Sequence, residues 1–397
     1  MNDKLGSEPG APTPQGFIPL CVPEIHGNEW KYIKECLDTN YVSSVGPFVD
    51  RFERELAARV GTRYAVATVN GTAALHIALL VAGVKPDDEV LVSDLTFIAP
   101  VNAIRYVGAW PVLIDAEPNY WQMDPEKVID FLDNHCQWMG GELRDKTTGH
   151  RIRAILPVHI LGHPVDMDPI LEVARKYELI VIEDATESLG AQYKNRPVGH
   201  LGDIACFSFN GNKIITTGGG GMIVTDNKAW AKKAKYLTTQ AKDDPVEFIH
   251  KEIGYNYRLS NIQAAMGCAQ LEQLDYYIEK KRAIASFYIS IFRNNTTIAY
   301  LKNREDSLSF HWLFPIQLNN PSNQTSRDLL VFLETRRIQT RPLWRPMSML
   351  NIYGFFAYTS CDTSSNLYRR VLLLPSSVGI NEMDLAQVAD SVMSYFI

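Results

Sequence analysis

From Tyr64 to Ile182 short apolar runs of β type alternate with helical patterns, and this alternation constrains the fold more than any other feature of the chain. The strand candidates are Tyr64–Val69, Glu89–Ser93, Trp110–Asp115, Ala154–Val158 and Leu179–Ile182; helical patterns occur near Ala99–Val107 and over Pro169–Tyr177. Strands joined by helical crossovers pair in parallel, and a parallel sheet is covered on both faces. The expectation is an α/β fold with a mostly parallel sheet whose ligands sit at the carboxyl ends of the strands. Glu183, Asp184 and Glu187 stand just past one such end.

Two further stretches carry chemistry. In IACFSFNGNKIITTGGGGMIVT, Ile204 to Thr225, a polar turn holds Lys213 between two strand-like runs, with Ser208 before it and Gly218–Gly221 after it. Strand, tight turn, strand fixes a side chain at a sheet edge, and the glycines let the backbone pass close to a bulky ligand. A lysine so placed suits Schiff-base formation with a carbonyl; an ordinary surface lysine in a hairpin loop fits the same residues. Upstream, the run Tyr64–Val69 breaks at Asn70-Gly71-Thr72 and enters the apolar helix ALHIALLVAGV. A strand feeding a buried helix in this way aims backbone N–H groups and a hydroxyl at an anion, although Thr72 could equally be a plain N-cap.

The flanks read more simply. Residues 1–16 are rich in Pro and Gly and read as a flexible arm, not a signal peptide. Helical spacing runs over Glu24–Leu37 and Pro47–Val60, the latter closed by Gly61. Gln137–Arg153 reads as a polar, exposed excursion, and Asn261–Arg282 as one long helix leaving a large domain of residues 17–270. A smaller α+β domain, 271–397, would hold a strand at Trp312–Leu318 and helices at Arg327–Arg336 and Glu382–Phe396.

Composition narrows the partners. With 46% hydrophobic residues, 21% charged residues and a net charge of −6, the chain is an ordinary globular one that lacks the basic cluster nucleic acid requires. No apolar run is long enough for a membrane span, and six scattered cysteines without CxxC pairing suit a reduced, cytoplasmic protein. His159 and His163 lie four apart, but Gly162 and Pro164 oppose a helix and no third ligand is evident, so no metal is expected.

Taken together, these residues meet the needs of a pyridoxal 5'-phosphate site. Gly71, Thr72 and Ser208 suit a phosphate, Asp184 a protonated pyridine nitrogen, Phe97 the ring face and Lys213 the aldehyde. The motifs NGTAALHIAL, TFIAPVNAI, EDATESLGA, GDIACFSFNGNK and GYNYRLSNIQAAMG occur in that order. Over nearly the whole chain from Phe17 they resemble the DegT/DnrJ/EryC1/StrS sugar aminotransferases, a branch of the fold-type I pyridoxal-phosphate enzymes. The resemblance implies Lys213 as the Schiff-base lysine, Asp184 on the ring nitrogen, and Gly71, Thr72 and Ser208 on the phosphate. It further implies Phe97 on the ring, and a homodimer with shared active sites in which Asn256 reaches the partner's phosphate.

Two positions depart from the family pattern. Glu187 stands where many members have Gln or His against the ring hydroxyl, and Gly219 where many have Glu. The version FSFNGNKIITTGGGGM is most similar to the subgroup serving the bacillosamine and legionaminic acid pathways of surface polysaccharide biosynthesis. That implies transfer of an amino group from L-glutamate to C4 of a UDP-linked 2-acetamido-4-keto-2,6-dideoxy sugar. A GDP-linked keto sugar is the alternative, as is a dehydratase on the same fold, although those replace the lysine that is present here. Arg341, Trp344 and His311 are the candidate substrate contacts.

Overall fold

Seven strands form one sheet in the order β1-β7-β6-β5-β4-β2-β3: β1 Tyr64–Thr68, β2 Glu89–Ser93, β3 Trp110–Ile114, β4 Ile152–Leu156, β5 Ile180–Asp184, β6 Ile204–Ser208 and β7 Gly221–Thr225. The computed structural model describes residues 16–244, 246–319, 325–356 and 358–396, so the arm expected at 1–16 lies, apart from Gly16, outside the described residues. The strands from β3 to β6 pair in parallel; only β7 runs against its neighbours, β1 and β6. The expected α/β sheet is present, with one reversed strand supplied by the stretch that carries Lys213.

That reversal corrects one detail of the sequence reading. Lys213 is not in a tight turn at a sheet edge: the connection from β6 to β7 spans residues 209–220, and both strands lie inside the sheet. The loop is anchored by Thr217 N donating to Phe209 O (2.9 Å) and Phe209 N to Gly220 O (2.8 Å).

The helices that flank the site are α1 Glu29–Asp38, α2 Pro47–Val60, α3 Gly71–Val81, α4 Ala99–Tyr106, α5 Met167–Lys176, α6 Lys228–Thr238, α7 Asn261–Glu272 and α8 Leu274–Phe292. The first begins five residues later than its apolar spacing suggested. In α2, Pro47 opens the helix, Gly61 closes it at φ +90°, and Phe48, Phe52, Leu56 and Val60 are buried on one face. Helix α3 is apolar nearly all round because Gly71 and Ala73–Leu79 are all buried. The polar excursion is partly a hairpin, Cys136–Met139 with Glu142–Asp145, whose Trp138 and Met139 are exposed.

The long helix expected from Asn261 is two helices, broken at Gln273. Helix α8 contributes Leu274, Tyr277 and Ile278 to the large core, and Ile284, Ala285, Tyr288 and Phe292 to a second core. The second core lies under a four-stranded antiparallel sheet, Ile298–Tyr300, Phe314–Leu318, Val371–Leu374 and Arg341–Pro342 in that spatial order. Midway along α8, buried Lys281 donates to the carbonyls of Trp312 (2.7 Å) and Ser376, and burial lowers its pKa.

Helix α7 packs on α2 through a glycine: a Cβ on Gly267 would stand 2.7 Å from Cζ of Phe52, a fully buried ring 5.0 Å from Phe209. Gly267→Ala gains about 1 kcal/mol of helix propensity but overpacks this contact by about 1–3 kcal/mol. The expected result is a lower urea midpoint; an unchanged or higher one would show that the Phe52 ring can yield.

Candidate active site

A cavity of about 340 Å³ opens at the carboxyl ends of β5 and β6, a volume suited to a small-molecule site. One end is the start of α3. Here Asn70, not Thr72, is the N-cap, its side chain accepting from Ala73 N at 2.7 Å. Gly71 and Thr72 therefore face the cavity together with Ser208, Gly219 and Gly220. Gly71 is required by close approach, since a Cβ there would stand 2.9 Å from the Cβ of Ser208. A helix N-terminus flanked by hydroxyls is a ready anion cradle.

Lys213 lines the same cavity. Its side chain is 13% exposed, with Nζ 3.5 Å from Glu187 Oε1 and 4.2 Å from the centroid of the Trp312 ring. Trp312 was expected only as the start of a strand, yet it forms part of the wall. Its Nε1 donates to Asn212 O at 2.7 Å, fixing the peptide that precedes the lysine, and its ring lies parallel to that of Trp344, centroids 6.2 Å apart. An aromatic residue just before a strand, as in FHWLF, was the available signal. Phe97 is 55% exposed and also lines the cavity.

Two buried carboxyls lie near the lysine. Glu187 accepts from Leu161 N at 2.9 Å through its second oxygen; burial raises its pKa, against the opposing charge of Lys213. Asp184, the last residue of β5, is 2% exposed and does not itself line the cavity, although Thr186 and Glu187 after it do. Burial also raises its pKa, with the hydrogen bonds from Thr186 opposing. Among the described residues no lysine or arginine forms an ion pair with it.

The preceding Glu183 behaves oppositely. Burial pushes its pKa up, but the hydrogen bond from His159 and the amides of Gly199 and Gly202 outweigh this and hold it low. His159 Nδ1 accepts from Val165 N at 3.0 Å, so the ring proton is on Nε2, which donates to Glu183 at 3.1 Å. Both nitrogens of His159 are thus engaged within the fold.

The remaining candidates fall elsewhere. His311 is buried, with Nδ1 3.2 Å from His163 Nε2, and burial lowers its pKa to about 4; it does not line the cavity. Arg341 is exposed on an outer strand of the small sheet and does not line it either, whereas Trp344 does. Asn256 is exposed, in a segment beside β1 where Val69 N donates to Tyr257 O at 2.7 Å, and is absent from its own chain's cavity lining.

Comparison with known proteins places the chain in a family. The model of the DegT/DnrJ/EryC1/StrS aminotransferase family matches residues 23–393. The chain belongs to this family. It is 37% identical over 378 residues to a GDP-perosamine synthase of Caulobacter vibrioides, covering 94% of this chain and 96% of that one. It is 32% identical over 352 residues to a UDP-4-amino-4,6-dideoxy-N-acetyl-beta-L-altrosamine transaminase of Campylobacter jejuni, covering 88% and 90%. The crystal structure of S. venezuelae DesV superposes with a TM-score of 0.83 at 29% identity, over 93% of this chain and 94% of that one. The family's members are nucleotide-sugar aminotransferases that use pyridoxal phosphate. The residues present fit that group: an anion cradle and a lysine line one cavity, and Asp184 beside it is a buried carboxyl without an ion-pair partner among the described residues.

Asp184 and Glu187 bear on stability. An acid whose native pKa exceeds its unfolded one binds protons more tightly when folded, so stability falls as pH rises from the unfolded value through the native one. Asp184→Asn removes that loss. The cofactor-free variant should be more stable than the wild type at pH 7, the gap closing as pH approaches about 4. Urea unfolding at a series of pH values checks this; parallel wild-type and variant profiles would contradict it.

Proposed function

We propose that this enzyme transfers an amino group from L-glutamate to C4 of a 4-keto-6-deoxy hexose linked to a nucleoside diphosphate. The observation that supports this most is Lys213 Nζ, largely shielded from solvent, held beside Glu187 and the Trp312 ring in a cavity that the α3 N-terminus also lines. Pyridoxal phosphate, when bound, supplies an aldehyde that carries the amino group and a ring that accepts electron density.

The chain's own residues do the rest. Gly71, Thr72 and Ser208 would hold the phosphate, and Asp184, behind the cavity wall at the end of β5, would hold the proton of the ring nitrogen. Phe97 would pack on the ring. Lys213 would hold the cofactor through its aldehyde, and its free amine would carry a proton away from the α-carbon of glutamate and, in the second half, return one to C4 of the sugar. Glu187 would serve the ring hydroxyl, to which a protonated carboxyl can donate a hydrogen bond; its raised pKa supports that form. One site serves both halves, so the kinetics are ping-pong. The presence of Lys213 favours transamination over dehydration.

Trp344, on the wall beside Trp312, is the aromatic surface for the sugar nucleotide. The sequence resemblance suggested a UDP-linked 2-acetamido sugar. The higher identity to a GDP-perosamine synthase than to the UDP-sugar transaminase now favours the GDP-linked keto sugar. Initial rates with glutamate and each nucleotide sugar decide between them. A preference for the GDP substrate, with parallel double-reciprocal lines, is expected; preference for the UDP substrate reverses the nucleotide assignment, and turnover only with free keto acids refutes the substrate class. Lys213→Ala should lower turnover at least about a thousandfold.

We further propose a homodimer in which Asn256 reaches the partner's phosphate, supported by its exposure beside β1 and its place outside its own cavity. Loss of one charge-assisted hydrogen bond predicts about tenfold weaker cofactor binding in Asn256→Ala. Fully active monomer at assay concentration, or unchanged cofactor affinity in the variant, would contradict the assignment.

A further inference from the structure

Midway along α8 the chain buries a lysine that the proposed reaction does not use. Lys281 is 1% exposed, and among the described residues no carboxylate forms an ion pair with it. Taking an ammonium group out of water without a counter-charge is unfavourable, so a position that only filled the core would suit leucine or methionine better. Burial lowers its pKa, with the Cys21 thiol opposing. What the side chain gains is three acceptors on three separate segments: the carbonyls of Trp312 (2.7 Å) and Ser376, and Cys21 Sγ at 3.6 Å.

Two of these three partners lead to one atom. Trp312 Nε1 donates to the carbonyl oxygen of Asn212 at 2.7 Å, and the Cys21 thiol donates to the same oxygen at 3.5 Å. Asn212 is the residue before Lys213. Trp312 has a second tie to the site, since its N–H donates to Leu161 O at 3.0 Å and Leu161 N donates to Glu187 Oε2 at 2.9 Å. Leu161 holds a left-handed φ of +58°, which persists only where the surroundings impose it. Cys21 is placed in turn by Ser376 N donating to Leu20 O (2.9 Å) and Val22 N to Ser377 Oγ (3.0 Å). Lys281 does not line the cavity; it stands behind the wall that carries Trp312, Asn212 and Lys213.

We propose that Lys281 is a positioning residue for Lys213: by holding Trp312 and Cys21 at the Asn212 carbonyl, it fixes both the peptide from which the Lys213 side chain extends and the indole face 4.2 Å from its Nζ. This rests on Lys213 being the lysine that holds the cofactor. An apolar residue at 281 would fill the same space but leave the Trp312 and Ser376 carbonyls without their donor and Cys21 without its tie. Only a long side chain with three donors reaches all three acceptors.

Two substitutions test it, Lys281→Met, which keeps the length and removes the donors, and Lys281→Gln, which keeps two donors on a shorter chain. In cofactor-free enzyme, Lys213 should react with 2,4,6-trinitrobenzenesulfonate at least about fivefold faster in Lys281→Met than in the wild type, read from the labelled peptide, with Lys281→Gln between them. With cofactor and substrates, kcat should fall about tenfold in Lys281→Met while KM for the nucleotide sugar stays within about twofold. Cys21→Val leaves α8 intact and should speed the labelling of Lys213 by a smaller factor. A lysine with a merely structural role would shift the urea midpoint and leave labelling and kcat at wild-type values in all three variants, which would overturn the proposal. Borohydride reduction, which fixes a lysine-bound cofactor to the chain, separates this from failure of the reading beneath it: cofactor fixed to a lysine other than Lys213 would sink both, whereas fixation at Lys213 with wild-type labelling and kcat in the variants would sink the positioning role alone.

Discussion

Desolvation is the constraint on which the cavity beside Lys213 depends. Two carboxyls, Asp184 and Glu187, are buried within reach of one ammonium group, and burial raises the pKa of both although Lys213 opposes it. Fully solvated carboxylates there would pair with water and hold the lysine as an ordinary ion. Buried, they carry a demand for protons or cations that only a bound ligand with its own N–H and O–H groups can meet. The fold supplies the enclosure: β5 brings the acids to the sheet end, and the loop between β6 and β7 brings the lysine over them.

Neighbouring Glu183 and Asp184 show how one strand separates structure from chemistry. Side chains alternate across a strand, so the two acids face opposite sides of the sheet. Glu183 meets His159 and a ring of amides and is held ionised as a fixed part of the architecture. Asp184 meets few donors and keeps its capacity for a ligand.

Much of this was readable from residue order because the α/β pattern is local: strand, turn and helix each leave their own periodicity. The α3 cradle, the acids after β5 and the lysine after β6 follow from motifs of a few residues. What escaped were features set by tertiary packing. The break at Gln273 leaves no proline or glycine signal. The role of Trp312 depends on Lys281 and Asn212, 31 and 100 residues away. The placement of His311 depends on His163, far upstream, whose ring nitrogen lies 3.2 Å from its own.

Helix α8 has a mechanical consequence. Its first turns belong to the large core and its last turns to the small one, with Lys281 between them clasping the carbonyl of Trp312. A rod embedded at both ends transmits melting: loss of the small core frees half of the helix, then the clasp, then the aromatic wall beside Lys213. The cavity beside Lys213 and the C-terminal sheet therefore share one helix, so that local opening of either is felt by the other.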